Sequence, residues 1–152
     1  MKIEFKKAKV KDLDLIIEFI YKMARYEKLE HEVTLTKEDL FYYVFKTKLV
    51  KVLFLHVNKK PVGFVLYYYN FSTFKGRAGI HIEDIFILEE HRRQGYGKLI
   101  INKLIEEAKN KHLGRIEWVC LKWNEKSLEF YRSLGASEMN EWAFLRLDES
   151  DF

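Results

Sequence analysis

The chain has 152 residues, of which 48% are apolar and 33% are charged, and its formal net charge is +4. This size and mix are typical of one folded, globular domain rather than a disordered chain. No apolar run approaches the roughly 20 residues of a membrane span, and the first residues lack an apolar signal-peptide core. Lysines and arginines alternate with acids along the whole chain, which favours a solvated surface over a nucleic-acid-binding stripe.

Cysteine and histidine usage narrows the class of protein further. Cys120 is the only cysteine, so an internal disulfide is excluded and the cytoplasm is the expected location. The five histidines show no metal-ligand spacing, so no metal is expected. Internal repeats, linkers and low-complexity segments are absent, which predicts a single domain over residues 1–152.

The first half of the chain alternates between strand and helix patterns. Residues 2–7 alternate charged and apolar side chains, and helical apolar spacing follows from Leu13 to about Tyr26. A second helix over residues 37–45 begins at a capping box of Thr36 and Asp39. A hairpin of two strands is predicted next, at residues 49–57 and 62–69.

In the strand predicted at residues 78–88, the alternation of apolar side chains between the two faces changes phase. Ile80 and Ile82 share one face, yet the next matching apolar pair is Ile85 and Ile87, one residue out of phase. Such a slip is typical of a β-bulge, which re-aims side chains and interrupts strand pairing beside active sites.

A basic turn, Arg92-x-x-Gly95-x-Gly97, connects this strand to a helix that is predicted to begin at the glycines. Glycines let the backbone approach an anion closely, and the free N–H groups and dipole of a helix start favour negative charge. Arg92, Arg93 and Lys98 add positive charge, so a phosphate-bearing ligand is expected here. A P-loop is excluded because the chain lacks the motif Gly-x-x-x-x-Gly-Lys-Ser/Thr. A dinucleotide-binding Gly-x-Gly-x-x-Gly motif is excluded because Ile100 occupies the position of its third glycine.

The remaining pattern predicts an α/β protein. The helix after the glycines ends before Gly114, a strand covers residues 115–121, and Asn124 caps a helix that Gly135 ends. A last strand is predicted at residues 142–147.

Two motifs resemble those of the GNAT acetyltransferase superfamily. The turn matches its signature (Gln/Arg)-x-x-Gly-x-(Gly/Ala), and the run from Asn124 to Ala136 resembles its second motif. The strings Ala24-Arg-Tyr-Glu27, Glu83-Asp84 and Trp123-Asn-Glu125 are similar to the spermidine/spermine acetyltransferase branch, which includes enzymes acting on lysine-like amines. The resemblance implies a single-domain GNAT-like α/β fold, with a mixed central sheet, a bulged and splayed strand and helices on both faces. It also implies a homodimer.

The resemblance also assigns ligand sites. Acetyl-CoA is expected as acetyl donor, its pantetheine lying along Ile85, Phe86 and Ile87 as an added strand. Ser72 and Phe74 differ from the branch, which has an acid and a tryptophan there. The other cofactor-binding residues implied are Arg92, Arg93, Gln94, Gly95, Tyr96, Gly97, Lys98, Asn124 and Ser127, and the amine site is assigned to Tyr26, Glu27, Phe74 and Asp84.

Acyl transfer from a thioester to an amine requires a base, an oxyanion donor and an acid. Glu83 is predicted to take the amine proton directly or through water, with the N–H of Ile85 as oxyanion donor and Tyr131 as acid at the sulfur. His81 or solvent is the alternative base. Without a catalytic role, Glu83 would be a solvated carboxylate at the end of a strand, and Tyr131 would be a tyrosine packed in the core. The predicted function is acetyl-CoA-dependent N-acetylation of a small-molecule polyamine, diamine or lysine-like amine. The alternatives are acetylation of a protein or peptide amine, non-catalytic acyl-CoA sensing, and RNA binding.

Overall fold

A computed structural model describes residues 1–152, which divide into two compact units, residues 1–119 and 120–152. The first unit contains one five-stranded sheet in the order β1-β2-β3-β4-β5. The first four strands are antiparallel and β5 is parallel to β4, so the sheet is mixed, as predicted. The strands are β1 (Ile3–Lys7), β2 (Lys51–Val57), β3 (Lys60–Ser72), β4 (Arg77–Ile87) and β5 (Ile116–Trp118), and the helices are α1 (Leu13–Tyr26), α2 (Lys37–Leu40), α3 (Tyr96–Asn110) and α4 (Glu125–Ser133).

Helices cover both faces of the sheet in the first unit. On one face, Phe19 of α1 is buried with ring centroids 5.6 Å from Phe54 and 5.3 Å from Phe64. On the other face, Tyr67 donates a hydrogen bond of 2.8 Å to Glu107 of α3. Ile100 and Leu104 of α3 are also buried. Burial of these apolar side chains with Phe19 and its neighbours provides the hydrophobic stabilisation of the unit.

The start of α2 follows the predicted capping box. The N–H of Asp39 donates to Thr36 Oγ1 at 3.1 Å, and the N–H of Thr36 donates to Asp39 Oδ2 at 2.8 Å. Both bonds satisfy donors that a helix start leaves unpaired. After Leu40 the chain continues in wider π-helical turns over Phe41–Lys46, a change of pitch that the apolar spacing does not show.

The predicted bulge lies in β4. Leu66 of β3 lies opposite Asp84 and the next residue, Tyr67, lies opposite Ile82, which leaves Glu83 as the extra residue. This insertion shifts the phase of the strand by one, so the four isoleucines of the sequence pattern share one face. Pairing of β4 with β5 ends at Ile82 and Trp118. The part of β4 after the bulge is therefore paired with β3 alone.

Several predicted boundaries differ from the structure. The strand predicted at 115–121 is limited to Ile116–Trp118, and α3 ends at Asn110 before His112 turns into the left-handed region, with φ of 55°. The last predicted strand is wrong, because residues 142–148 form neither helix nor strand. Their apolar pattern is that of a strand, but a strand also needs a hydrogen-bonding neighbour, and the sheet has no sixth member. None of the helices has the length and apolar character needed to cross a bilayer.

Candidate active site

The bulge leaves Glu83 without a partner residue in the pairing of β4 with β3, and its side chain is exposed. Its side chain is 57% exposed, and its Oε1 lies 3.8 Å from Nε2 of His81. The ring of His81 in turn lies 4.9 Å from that of Tyr68, its cross-strand partner. Burial and the nearby charge of Glu83 raise the pKa of Tyr68. The structure thus brings together the two residues predicted as alternative bases.

Asp84 follows Glu83 but is half-buried. Burial, with the charges of Glu83 and Glu27, raises the pKa of Asp84 to about 7. Glu27 comes from the C-terminal cap of α1, and burial raises its pKa as well. We call Glu27, Glu83 and Asp84 the carboxylate cluster. No lysine or arginine pairs with these three side chains. A ligand ammonium would therefore reduce their mutual repulsion and offset the cost of burying them in the charged form.

Arg92 connects the basic turn to the end of α1. Its guanidinium lies 4.5 Å from the ring centroid of Tyr26 and 5.0 Å from that of Phe86, and its Nε donates to the carbonyl of Ile87 at 3.0 Å. These cation–π contacts and the hydrogen bond hold the guanidinium in place. A cleft of about 500 Å³ opens beside it. Its lining residues are Lys22, Arg25, Tyr26, Phe86, Leu88, Glu89, Glu90 and Arg92.

The start of α3 is built to accept an anion. Gly95 is the N-cap with φ of 81°, a conformation that favours glycine, and a Cβ there would meet nothing within 4 Å. The first backbone bond of the helix runs from the N–H of Leu99 to the carbonyl of Gly95 at 3.1 Å. The N–H groups of Tyr96, Gly97 and Lys98 therefore have no helical acceptor and lie at the positive end of the dipole. The helix begins at the glycines, as predicted.

A sequence profile of the acetyltransferase (GNAT) family matches residues 15–136. The chain belongs to the GNAT acetyltransferase family. It is therefore an acetyl-transferring enzyme, and the fold predicted from the two motifs is confirmed.

Named relatives are acetyltransferases, and a solved structure shares the fold of this chain. A thialysine N-epsilon-acetyltransferase of Bos taurus is 33% identical over 145 residues, covering 90% of this chain and 85% of that protein. An L-ornithine N5-acetyltransferase of Arabidopsis thaliana is 40% identical over 85 residues, which span 56% of this chain but only 37% of that protein. The structure of an integron cassette protein from the V. cholerae mobile metagenome is 27% identical with a TM-score of 0.81, covering 99% of this chain and 95% of that one.

The GNAT second motif lies in the unit of residues 120–152. Oδ1 of Asn124 accepts a hydrogen bond of 3.3 Å from the N–H of Ser127, which confirms the predicted helix cap. Tyr131 is half-buried with its ring 5.4 Å from that of Phe130. The roles of Asn124 and Ser127 toward acetyl-CoA, and of Tyr131 as acid, stay predictions.

Phe74 is the one predicted amine-site residue that lies far from the bulge along its hairpin. It sits in the turn between β3 and β4 with 93% of its surface exposed. Glu83 is six residues beyond the start of β4 at Arg77, or about 20 Å along an extended strand. The structure therefore places Tyr26 and Glu27 near the bulge but places Phe74 far from the carboxylate cluster.

The raised pKa of Asp84 predicts how stability depends on pH. Between its ordinary pKa of 3.8 and about 7, the folded protein keeps a proton that the unfolded chain has lost. The free energy of unfolding should therefore fall as pH rises through this window and level off above it. Asp84→Asn cannot ionise, so its free energy of unfolding should not fall in this way. The substitution should stabilise the protein by about 1–3 kcal/mol at pH 8 but not at pH 4.

Thermal unfolding across this pH range measures the effect. Glu38→Gln, at an exposed carboxylate of α2, is the matched control and should follow the wild type. Identical pH profiles for wild type and Asp84→Asn would contradict the burial of this carboxyl group.

Proposed function

We propose that this enzyme transfers an acetyl group from acetyl-CoA to a primary amine of a small molecule that carries a second ammonium. A diamine, a polyamine or a lysine-like amine fits this description. The observation that carries the proposal is the bulge, which places Glu83 beside His81 and next to the half-buried Asp84.

The residues at the start of α3 fit the acetyl donor. The free N–H groups of Tyr96, Gly97 and Lys98 would hold a diphosphate, with Arg93 and Lys98 as nearby positive charges. Beyond the bulge, residues 85–87 of β4 are paired with β3 only, which leaves an edge for the amides of pantetheine. Acetyl-CoA supplies the activated acetyl group as a thioester when bound.

Glu83 is the proposed base. An alkylamine with a pKa of about 10 arrives protonated at neutral pH and must lose a proton before it attacks a carbonyl. The exposed carboxylate of Glu83 reaches such an amine directly or through water, and His81, 3.8 Å away, is the alternative acceptor. The N–H of Ile85, just past the bulge, is the proposed oxyanion donor, and Tyr131 the proposed acid.

Glu27 and Asp84 are proposed to hold the second ammonium. They are the more buried members of the carboxylate cluster, and neither has a cation partner in the protein. A bound ammonium lowers the pKa of both, so they become charged when the amine is in place. The ornithine named for the Arabidopsis relative is a diamino acid, which supports this substrate class.

Steady-state rates for a panel of amines test the proposal. Diaminobutane, spermidine, lysine and ornithine should each exceed butylamine in kcat/KM by about 10-fold or more, the value of one charged hydrogen bond. Comparable values for butylamine and diaminobutane would contradict a site for the second ammonium. Acetyl-CoA binding without turnover of any amine would instead indicate a sensor.

A matched variant separates recognition from chemistry. Glu27→Gln should remove most of the preference for diamines and leave the rate with butylamine unchanged, because that amine has no second charge. Peptide amines that react as fast as the small diamines would favour a protein substrate.

A further inference from the structure

Glu107 is a half-buried carboxylate on the side of α3 that faces the sheet. Both of its oxygens accept hydrogen bonds from β3, because Tyr67 donates to Oε1 at 2.8 Å and Tyr69 donates to Oε2. No lysine or arginine forms an ion pair with Glu107. Burying a carboxylate is costly, and an apolar side chain would cover the same surface without that cost. An acid bonded twice at this position therefore indicates a need for defined geometry.

Tyr67 lies directly opposite the bulge. It is 2% exposed and pairs with Ile82, while the preceding residue, Leu66, pairs with Asp84. Glu83 lies between these two pairs and has no partner of its own. Because a bulge interrupts the regular ladder, its position depends on the strand that faces it. Tyr67 is thus one of two β3 residues that determine where Glu83 stands.

Tyr69 makes the second contact with Glu107 from the same face of β3. Its ring centroid lies 6.4 Å from that of Tyr67, 5.5 Å from Nζ of Lys51 and 5.3 Å from Nζ of Lys111. Burial and the hydrogen bonds to Glu107 raise the pKa of both tyrosines. Their hydroxyls therefore keep their protons, and keep donating, at neutral and mildly alkaline pH.

Helix α3 connects this contact to the proposed donor site. The free N–H groups of the donor site lie at the start of α3, and Glu107 lies on the same helix. At 1.5 Å per residue, Glu107 is about 15 Å along the axis from Gly97. A strand that is bonded to Glu107 is therefore held at a set distance from the donor site.

We infer that Glu107 is a positioning residue for acetyl transfer. By accepting from Tyr67 and Tyr69, it holds the part of β3 opposite the bulge against α3, and this fixes Glu83 relative to the donor. Glu107 acts through the two tyrosines and takes no proton from the amine. The inference rests on the proposed role of Glu83 as base. A displacement of about 1 Å at a reacting group can cost about 10²-fold in rate.

Rates with saturating acetyl-CoA and diaminobutane test this role in Glu107→Leu. Leucine removes both acceptors but is a good helix former and packs against an apolar sheet. We expect kcat to fall by about 10-fold or more at neutral pH, with the thermal shift caused by acetyl-CoA unchanged. The loss should shrink toward about pH 10, because a deprotonated amine needs no base. Glu107→Gln keeps one acceptor oxygen and should recover most of the rate.

A double variant shows whether Glu107 acts through Glu83. Two residues that serve one step have effects that do not add, so Glu107→Leu should cost little further rate in a protein that already carries Glu83→Gln. Tyr67→Phe removes only the 2.8 Å bond and keeps the ring, so it should reproduce part of the loss even if Glu107→Leu does not fold. Glu106→Leu is the matched control, since Glu106 is an exposed neighbour on α3 that pairs with Lys103 at 3.4 Å, and its kcat should match the wild type.

Each contrary result has a distinct meaning. A lower melting temperature with unchanged kcat in Glu107→Leu and Tyr67→Phe would show that Glu107 only stabilises the fold. A loss that is equal at every pH, or that adds fully to that of Glu83→Gln, would place its effect on another step. If Glu83→Gln itself loses no activity, the proposed base and this inference both fail. If Glu83→Gln loses activity and the Glu107 and Tyr67 variants do not, the inference alone fails.

Discussion

Glu83→Gln is expected to lower kcat/KM at neutral pH by about 10²-fold or more, the usual contribution of a general base. The amide keeps the shape of the side chain but cannot accept the amine proton. The loss should shrink as pH rises toward the pKa of the amine, about 10, because the substrate then arrives deprotonated. Acetyl-CoA affinity should change little, since the donor is held at the start of α3. Rates measured from pH 6 to about pH 10 provide the test.

Variants of the neighbouring residues show whether Glu83 is the base. Asp84→Asn removes a carboxylate one residue away and should act mainly on the KM of diamines, while His81→Asn removes the group 3.8 Å from Glu83. A loss in Glu83→Gln that is the same at every pH indicates positioning of the substrate rather than proton transfer. No loss in Glu83→Gln, together with a large pH-dependent loss in His81→Asn, would make His81 the base.

Gly97→Asp is expected to abolish stabilisation by acetyl-CoA. At about 100 times its Kd, a ligand that binds only the folded state adds roughly 2.7 kcal/mol of stability, which a thermal-shift assay detects readily. Gly97 is the second residue of α3, where the free N–H groups lie. A carboxylate there repels the diphosphate and occupies the space that the missing side chain leaves.

A second glycine provides the control. Gly76 lies in the turn between β3 and β4 with φ of 66°, and a Cβ there would meet nothing within 4 Å. Gly76→Asp should keep the full shift with acetyl-CoA. Protection by NAD or ATP but not by acetyl-CoA, or an unchanged shift in Gly97→Asp, would refute the assignment of the donor to this helix start.

Local patterns determined much of the fold and part of the site. The phase slip between Ile82 and Ile85 predicted the bulge that exposes Glu83, because side chains alternate along a strand and one extra residue must reverse the phase. The turn from Arg92 to Gly97 predicted the start of α3, because its glycine supplies a left-handed N-cap. Both features depend on residues close together in sequence, which a pattern can register.

Contacts between distant parts of the chain were decided only by the tertiary structure. Sequence alone gives no reason for Glu27 to affect Asp84 or for Arg92 to lie over the ring of Tyr26, because these pairs are joined by the packing of α1 against the sheet. The raised pKa of Asp84 arises from that burial. The prediction of a strand at 142–147 was wrong because strand formation also depends on contacts between distant parts of the chain. The apolar alternation of these residues is a local property, but a strand forms only where a neighbouring backbone satisfies its hydrogen bonds.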